Sequence, residues 1–219
     1  MHILCYYSEK KERVYIIMID TFIFDIGNVL VQFNWKETYD SIFDKETSDI
    51  IAKATVGNEE CWRELDKGVK TYDELIEMFV NNAGGYEKEI KKALEAIYEN
   101  LYIHPYAVSW LKELKEKGYK VYILSNFGDY TFNVAKKYFE FLKYADGSLI
   151  SYEVKMLKPS AEIYDAICEK FGIIKENAVF LDDSAMNIEG AKAFGLNGIV
   201  FENYDQALNE LSKLDLKYN

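Results

Sequence analysis

The stretch Thr21-Phe22-Ile23-Phe24-Asp25-Ile26-Gly27-Asn28 decides the fold: an apolar β-type run stops at an aspartate and a Gly-Asn turn. Related patterns return downstream. After Pro105 a helical spacing carries Val108, Leu111 and Leu114 and stops at Gly118, and Tyr119 to Leu124 is expected as a short buried strand. A helix is expected around Val134 to Leu142, a strand near Gly147 to Ile150, and a helix through Ile163, Tyr164, Ile167, Cys168 and Phe171. Ala178 to Leu181, a helix ending at Gly195, the strand Gly198 to Phe201 and a last helix with Ala207, Leu208, Leu211 and Leu214 complete the alternation. Strands that alternate with helices imply an α/β fold, a doubly wound and mostly parallel sheet covered on both faces.

One segment breaks the alternation. From about Trp35 to Tyr102 the spacing is helical and needs no strand. Thr71-Tyr72-Asp73-Glu74 is a capping box ahead of Leu75, Ile76, Met78 and Phe79, and Ile90, Ala93, Leu94, Ile97, Tyr98 and Leu101 mark one face of a longer helix. The expected organisation is therefore an α/β core made of residues 1–34 and 103–219, with a small helical domain, 35–102, inserted after the first core strand. Residues 1–17 admit two readings. Val14 to Ile19 is a second β-type run suited to an extra edge strand, and Met18 stands where a start would serve.

The chain has 219 residues, with 26 Lys plus Arg against 37 Asp plus Glu, a net charge of −11. A chain of this length removes roughly 70% of its unfolded surface from water, ample for a buried core. The acidic balance argues against nucleic acid or an anionic membrane as partner, and an anionic substrate would need a local cation. No apolar stretch reaches the ~18 residues of a membrane span. Cys5, Cys61 and Cys168 are scattered and form no C-x-x-C, so they read as reduced thiols of a cytoplasmic protein. The 18 Tyr and 13 Phe fall at core spacing and read as packing. His2 and His104 have no partner pattern for zinc.

In open parallel sheets, ligands bind beyond the carboxyl ends of the strands. Those ends carry Asp25, Ser125-Asn126 and Asp182-Asp183, and Lys158-Pro159 opens a helix between them. Each alone is an ordinary turn or helix start. Together, three acids and a lysine fit a hard-cation site, because magnesium takes oxygen ligands, commonly carboxylates with substrate phosphate and water. The lysine would cancel charge on an incoming phosphoryl group, and Ser125 with exposed N–H groups could hold its oxygens. An aspartate can itself act as a nucleophile through an aspartyl-phosphate.

These motifs, in this order, resemble the haloacid dehalogenase superfamily of phosphohydrolases. The matching pieces are Phe24-Asp25-Ile26-Gly27-Asn28-Val29-Leu30, Leu124-Ser125-Asn126, Lys158-Pro159 and Phe180-Leu181-Asp182-Asp183-Ser184-Ala185-Met186-Asn187. The resemblance implies a Rossmann-like core with residues 35–102 as a helical cap. It implies that Asp25 is the nucleophile, that Ser125 and the backbone of Asn126 bind phosphate, and that Lys158 holds Asp25 and the phosphoryl group together. Magnesium would be held by Asp25, the carbonyl of Gly27 and Asp183, with Asp182 close by or acting through water. Asn187 stands where relatives carry Asn or Asp.

One departure matters. Phosphatases of this superfamily usually place a general acid and base two residues after the nucleophile, and here that residue is Gly27. General acid–base help is worth roughly 10²–10⁴-fold. Its loss points to a leaving oxygen that needs little protonation, such as that of an anomeric sugar phosphate, and the Asp-x-Gly-Asn wording resembles the sugar-1-phosphate phosphatase branch. The inserted segment holds nine basic against sixteen acidic residues, a net of −7. It is therefore expected to exclude water and touch an uncharged part of the substrate, with Trp62 and Arg63 as candidates. The leading expectation is a magnesium-dependent phosphatase of a small phosphorylated metabolite. The alternatives are a metal-free hydrolytic dehalogenase using Asp25, and a binding or regulatory relative weakened by Gly27.

Overall fold

The computed structural model describes residues 18–99 and 101–217, and the backbone alone of two short strands ahead of them. The chain begins with β1 (Cys5–Tyr7), β2 (Arg13–Tyr15), β3 (Thr21–Phe24) and β4 (Val31–Gln32). Five helices follow: α1 (Trp35–Ile42), α2 (Lys45–Ala54), α3 (Glu59–Lys67), α4 (Tyr72–Ala83) and α5 (Glu87–Glu99). Then come β5 (Tyr102–Ile103), α6 (Tyr106–Glu116), β6 (Lys120–Ser125), α7 (Asp129–Ala135), β7 (Gly147–Ile150) and α8 (Ser151–Val154). The last elements are α9 (Ala161–Phe171), β8 (Ala178–Asp182), α10 (Ala185–Phe194), β9 (Asn197–Val200) and α11 (Tyr204–Leu211).

Five strands form one parallel sheet in the order β7-β6-β3-β8-β9. Alternate side chains along each strand enter opposite layers, as the pleat requires. Phe22, Phe24, Val121, Ile123, Val179 and Leu181 pack with Trp110 and Leu111 of α6 and Ala207 and Leu211 of α11. Ile23, Tyr122, Leu124, Leu149 and Phe180 pack instead with Ile163, Tyr164 and Ile167 of α9 and Ile188 of α10. The first layer runs on into the helical segment, where Phe79, Ile90, Leu94 and Ile97 join the same cluster. Thr71 caps α4 reciprocally with Glu74, as the sequence predicts.

Three details differ from the sequence reading. Val31–Gln32 and Tyr102–Ile103 pair antiparallel and bracket the helices, a ribbon too short to leave a periodic signal. The expected helix over Val134 to Leu142 is instead α7 followed by two tighter 3₁₀ segments, Lys136–Tyr138 and Glu140–Tyr144. Phe139 and Phe141 are both buried and stacked at 5.2 Å, and residues two apart cannot share one face of an α-helix. In the run Val14 to Ile19, the strand Arg13–Tyr15 pairs with Cys5–Tyr7 rather than with the five-stranded sheet, and residues 16 and 17 lie outside the described residues.

Two glycines let α3 lie close against the core. Gly68 ends the helix in the left-handed region (φ 64°), and a Cβ there would sit 2.6 Å from Cβ of Tyr152. A Cβ on Gly128 would sit 2.7 Å from Cδ2 of Leu65.

Candidate active site

The β-register builds the site. Phe24 stands level with Ile123 on one side and Leu181 on the other, so Asp25 and Asp182 arrive together at adjoining strand ends. The chain crosses from β3 to β6 and β7 on one side, then to β8 and β9 on the other. The crevice at the carboxyl end of β3 is thus the switch point where such sheets bind ligands.

Lys158 is the hub. Its Nζ lies 2.9 Å from Oδ1 of Asp25, 2.6 Å from Oδ2 of Asp182 and 3.2 Å from the carbonyl of Leu124, with 1% of its side chain exposed. Three acceptors match the three N–H donors of an ammonium. Burial alone would depress this ammonium, but the Asp182 and Asp25 carboxylates hold it above the ordinary lysine range. Asn126 fixes the hub from the other side, its Oδ1 accepting from the Lys158 N–H at 2.9 Å and its Nδ2 donating to the Lys158 carbonyl at 3.2 Å. The Asn126 side chain is therefore engaged, and its backbone N–H is what remains to meet a ligand.

The three acids differ in surroundings. Burial pushes the Asp25 carboxyl up to about 7; Lys158 opposes this, Asp182 adds to it, and the adjacent Ser125 hydroxyl opposes it again. Asp25 also accepts from the N–H of Ile26 at 2.8 Å. Asp182 is fully buried and accepts from Lys158, from the Ser184 N–H at 2.8 Å and from Nδ2 of Asn187 at 2.9 Å. Asp183 is exposed to the crevice and accepts from Nδ2 of Asn28 at 2.8 Å. Burial of its carboxyl raises its pKa, and the neighbouring Asp182 adds to the rise. Each acid offers one oxygen within 4.8 Å of the others. Three carboxylates against one ammonium leave an all-oxygen cluster with excess negative charge, which suits a hard divalent cation.

Above the acids lies a pocket of about 190 Å³. Asp25, Gly27, Ser125, Asn126 and Asp183 line its floor, and Phe33, Trp62, Tyr98 and Phe127 give it aromatic walls. Of the two residues expected from the helical segment, Trp62 lines this pocket, whereas Arg63 is exposed and does not line it. Asp66, which the sequence reading did not single out, lines it as well. It follows Trp62 by four residues, one helical turn, and that spacing was the available signal. Burial pushes its carboxyl up to about 7; Lys158 pulls against this, Asp25 with it, and Arg63 against it. A Cβ built on Gly27 meets nothing within 4 Å, so open space lies two residues after Asp25. A larger cavity of about 330 Å³, with Leu65, Tyr72 and Tyr130 in its wall, contains none of the strand-end acids.

A parallel sheet with three acids and a buried lysine at its switch point is a site built for a hard cation and an anionic ligand. The chain belongs to the haloacid dehalogenase-like hydrolase family, whose model matches residues 19–195. It is 32% identical over 112 residues to (S)-2-haloacid dehalogenase 4A of Burkholderia cepacia, a match covering 51% of this chain and 48% of that protein, about half its length. It is 24% identical over 196 residues to D-ribitol-5-phosphate phosphatase of Bacteroides thetaiotaomicron, covering 85% and 93%. Among solved structures, a haloacid dehalogenase family enzyme of Bacteroides thetaiotaomicron in complex with magnesium and inorganic phosphate superposes with a TM-score of 0.66 at 25% identity, covering 86% and 98%. Among the described residues, no helix is long and apolar enough to cross a membrane.

Proposed function

We propose that this chain is a magnesium-dependent phosphomonoester hydrolase acting through an aspartyl-phosphate on Asp25. The observation that carries this reading is Lys158, buried between Asp25 and Asp182 with every donor engaged. A buried ammonium so held keeps the Asp25 carboxylate oriented at the pocket floor and offsets the charge of an arriving phosphoryl group. One oxygen of Asp25 attacks phosphorus, and the bond to the leaving oxygen breaks. The Ser125 hydroxyl and the Asn126 N–H hold the phosphoryl oxygens. Asp182, saturated by Lys158, Ser184 and Asn187, positions the lysine. Asp25, Asp183 and the carbonyl of Gly27 would hold magnesium, which when bound neutralises phosphoryl charge.

Residues 35–102 act in this reading as a cap. They carry Trp62 to the pocket, and the acidic balance of the segment fits contact with the uncharged part of a substrate rather than with its phosphate. The substrate class is a small sugar phosphate or a related phosphorylated metabolite, with neither nucleic acid nor membrane as partner. The free, buried thiols Cys61 and Cys168 fit a reducing, cytoplasmic setting. The test is phosphate release from a panel of phosphomonoesters, with magnesium and with chelator, beside Asp25→Asn. Metal-dependent release that vanishes in the variant supports the proposal. Halide release from a 2-haloacid that persists in chelator would transfer the chain to the dehalogenase side of its family.

A further inference from the structure

We propose that Asp66, carried over the site by helix α3, is the residue that gives a proton to the leaving oxygen and takes one from the hydrolytic water, the task left open by Gly27. The proposal rests on the phosphatase reading and deepens it. Four titratable side chains line the pocket: Asp25, Asp66, Tyr98 and Asp183. Asp25 is the nucleophile and Asp183 belongs to the cation cluster. The Tyr98 phenol is held far above its ordinary range, by burial and then by Asp66 itself, and cannot serve as a base near neutrality. Asp66 remains.

Its surroundings suit the role. Asp25, Asp182 and Asp183 all accept hydrogen bonds within the site. The Asp66 carboxyl makes none with any described residue and is free to meet a substrate oxygen. Its backbone, in contrast, is tied down. The Ser151 hydroxyl donates to the Asp66 carbonyl at 2.5 Å and accepts from the Phe127 N–H at 2.9 Å, which links the end of α3 to the loop just after Ser125-Asn126. The Lys155 ammonium donates to the carbonyl of Gly68, two residues on. A carboxyl without a hydrogen-bond partner among the described residues, on a doubly anchored backbone and sharing one small pocket with the nucleophile, is how a proton-transfer group is held. The largely apolar walls that push its pKa upward keep it able to donate near neutrality.

The steps balance. As Asp25 bonds to phosphorus, the P–O bond to the alcohol breaks, and the departing oxygen takes the Asp66 proton to leave as the neutral alcohol. Water then attacks phosphorus and gives its proton to the Asp66 carboxylate, and the bond between phosphorus and Asp25 breaks. Inorganic phosphate departs with Asp25 ionised and Asp66 protonated. On this account the chain is not confined to anomeric or aryl esters, and primary alkyl phosphates are substrates.

The test compares wild type, Asp66→Asn, Asp25→Asn and the double variant Asp66→Asn/Gly27→Asp on 4-nitrophenyl phosphate and a primary alkyl phosphate. Formation of the phosphorylated enzyme is followed by rapid quench and peptide mass mapping. Asp66→Asn should slow phosphoryl transfer from the alkyl ester by about 10²–10⁴-fold, and transfer from the nitrophenyl ester far less, since its leaving group needs no proton. With the nitrophenyl ester, whose transfer step is spared, phosphorylated Asp25 should also accumulate in that variant, because the water loses its base. A carboxylate at position 27, where space is open, should restore the alkyl reaction in the double variant. Equal slowing with both esters, or no slowing with either, overturns the role of Asp66. In those cases an inactive Asp25→Asn leaves the phosphatase reading standing, whereas wild type without phosphate release from either ester removes both.

Discussion

Replacing Lys158 by methionine keeps most of the side-chain volume and removes the one cation at the centre of the site. In the native protein its Nζ sits 2.9 Å from Asp25 and 2.6 Å from Asp182, with 11% of the Asp25 side chain and none of the Asp182 side chain exposed. The variant leaves those carboxylates facing each other without a counter-charge. Removing one partner of a buried ion pair costs about 3–5 kcal/mol, because the remaining charge stays uncompensated. For a chain of this size each kcal/mol moves Tm by about 2–4 °C, so the loss at pH 7.5 should be about 6–20 °C. The sign with pH follows from Asp25. Its carboxyl already sits above the unfolded value of 3.8, at about 7, and losing the ammonium raises it further. A carboxyl raised in the folded state destabilises at high pH, and that penalty fades as pH falls toward the unfolded value. Thermal melts of wild type and Lys158→Met, without metal, at pH 7.5 and pH 5 measure both effects. A Tm difference under 2 °C at pH 7.5, or one that does not shrink at pH 5, would refute the reasoning that Lys158 compensates two buried charges.

Other consequences are independent of that variant. Magnesium should raise Tm more at pH 8 than at pH 5.5, because protons compete for Asp25 and Asp183, whose carboxyls are both raised; calorimetric melts across magnesium concentrations show it. Thr71→Ala removes the hydroxyl that accepts from the Glu74 N–H at 3.3 Å and donates to the Glu74 carboxylate at 2.8 Å, and should cost about 1 kcal/mol in urea unfolding with turnover unchanged. Gly68→Ala places a Cβ 2.6 Å from Tyr152 at a left-handed position. It should cost about 1–3 kcal/mol and slow alkyl phosphate turnover by shifting the end of α3.

What could be read in the sequence followed from local chemistry. A β-type run ending in a polar residue marks both a strand and its carboxyl end. Thr21–Phe24 and Ala178–Asp182 were therefore legible together with the acids that follow or close them. Lys158 was legible by type and place, but its three-way contact comes from register and from the Asn126 clasp, which only the folded chain shows. The ribbon joining Val31–Gln32 to Tyr102–Ile103 is two residues wide and pairs segments about seventy positions apart, so no local pattern announces it. Trp62 and Arg63 had equal standing in the sequence. Successive helix residues point about 100° apart, so the face that carries Trp62 also carries Asp66, while Arg63, three residues before Asp66, borders that face and stays outside the pocket lining. Asp66 matters only once α3 is laid across the strand ends, and Gly68 and Gly128, ordinary as letters, are what allow that approach.

The most direct test of the central claim is where the phosphoryl group resides during turnover. Wild-type enzyme, magnesium and 4-nitrophenyl phosphate, quenched in acid within the first turnover and digested, should yield one phosphoryl group on the peptide that contains Asp25, and none in Asp25→Asn. Phosphate released in that turnover with no adduct on Asp25, or an adduct on another residue, would contradict covalent catalysis at this site.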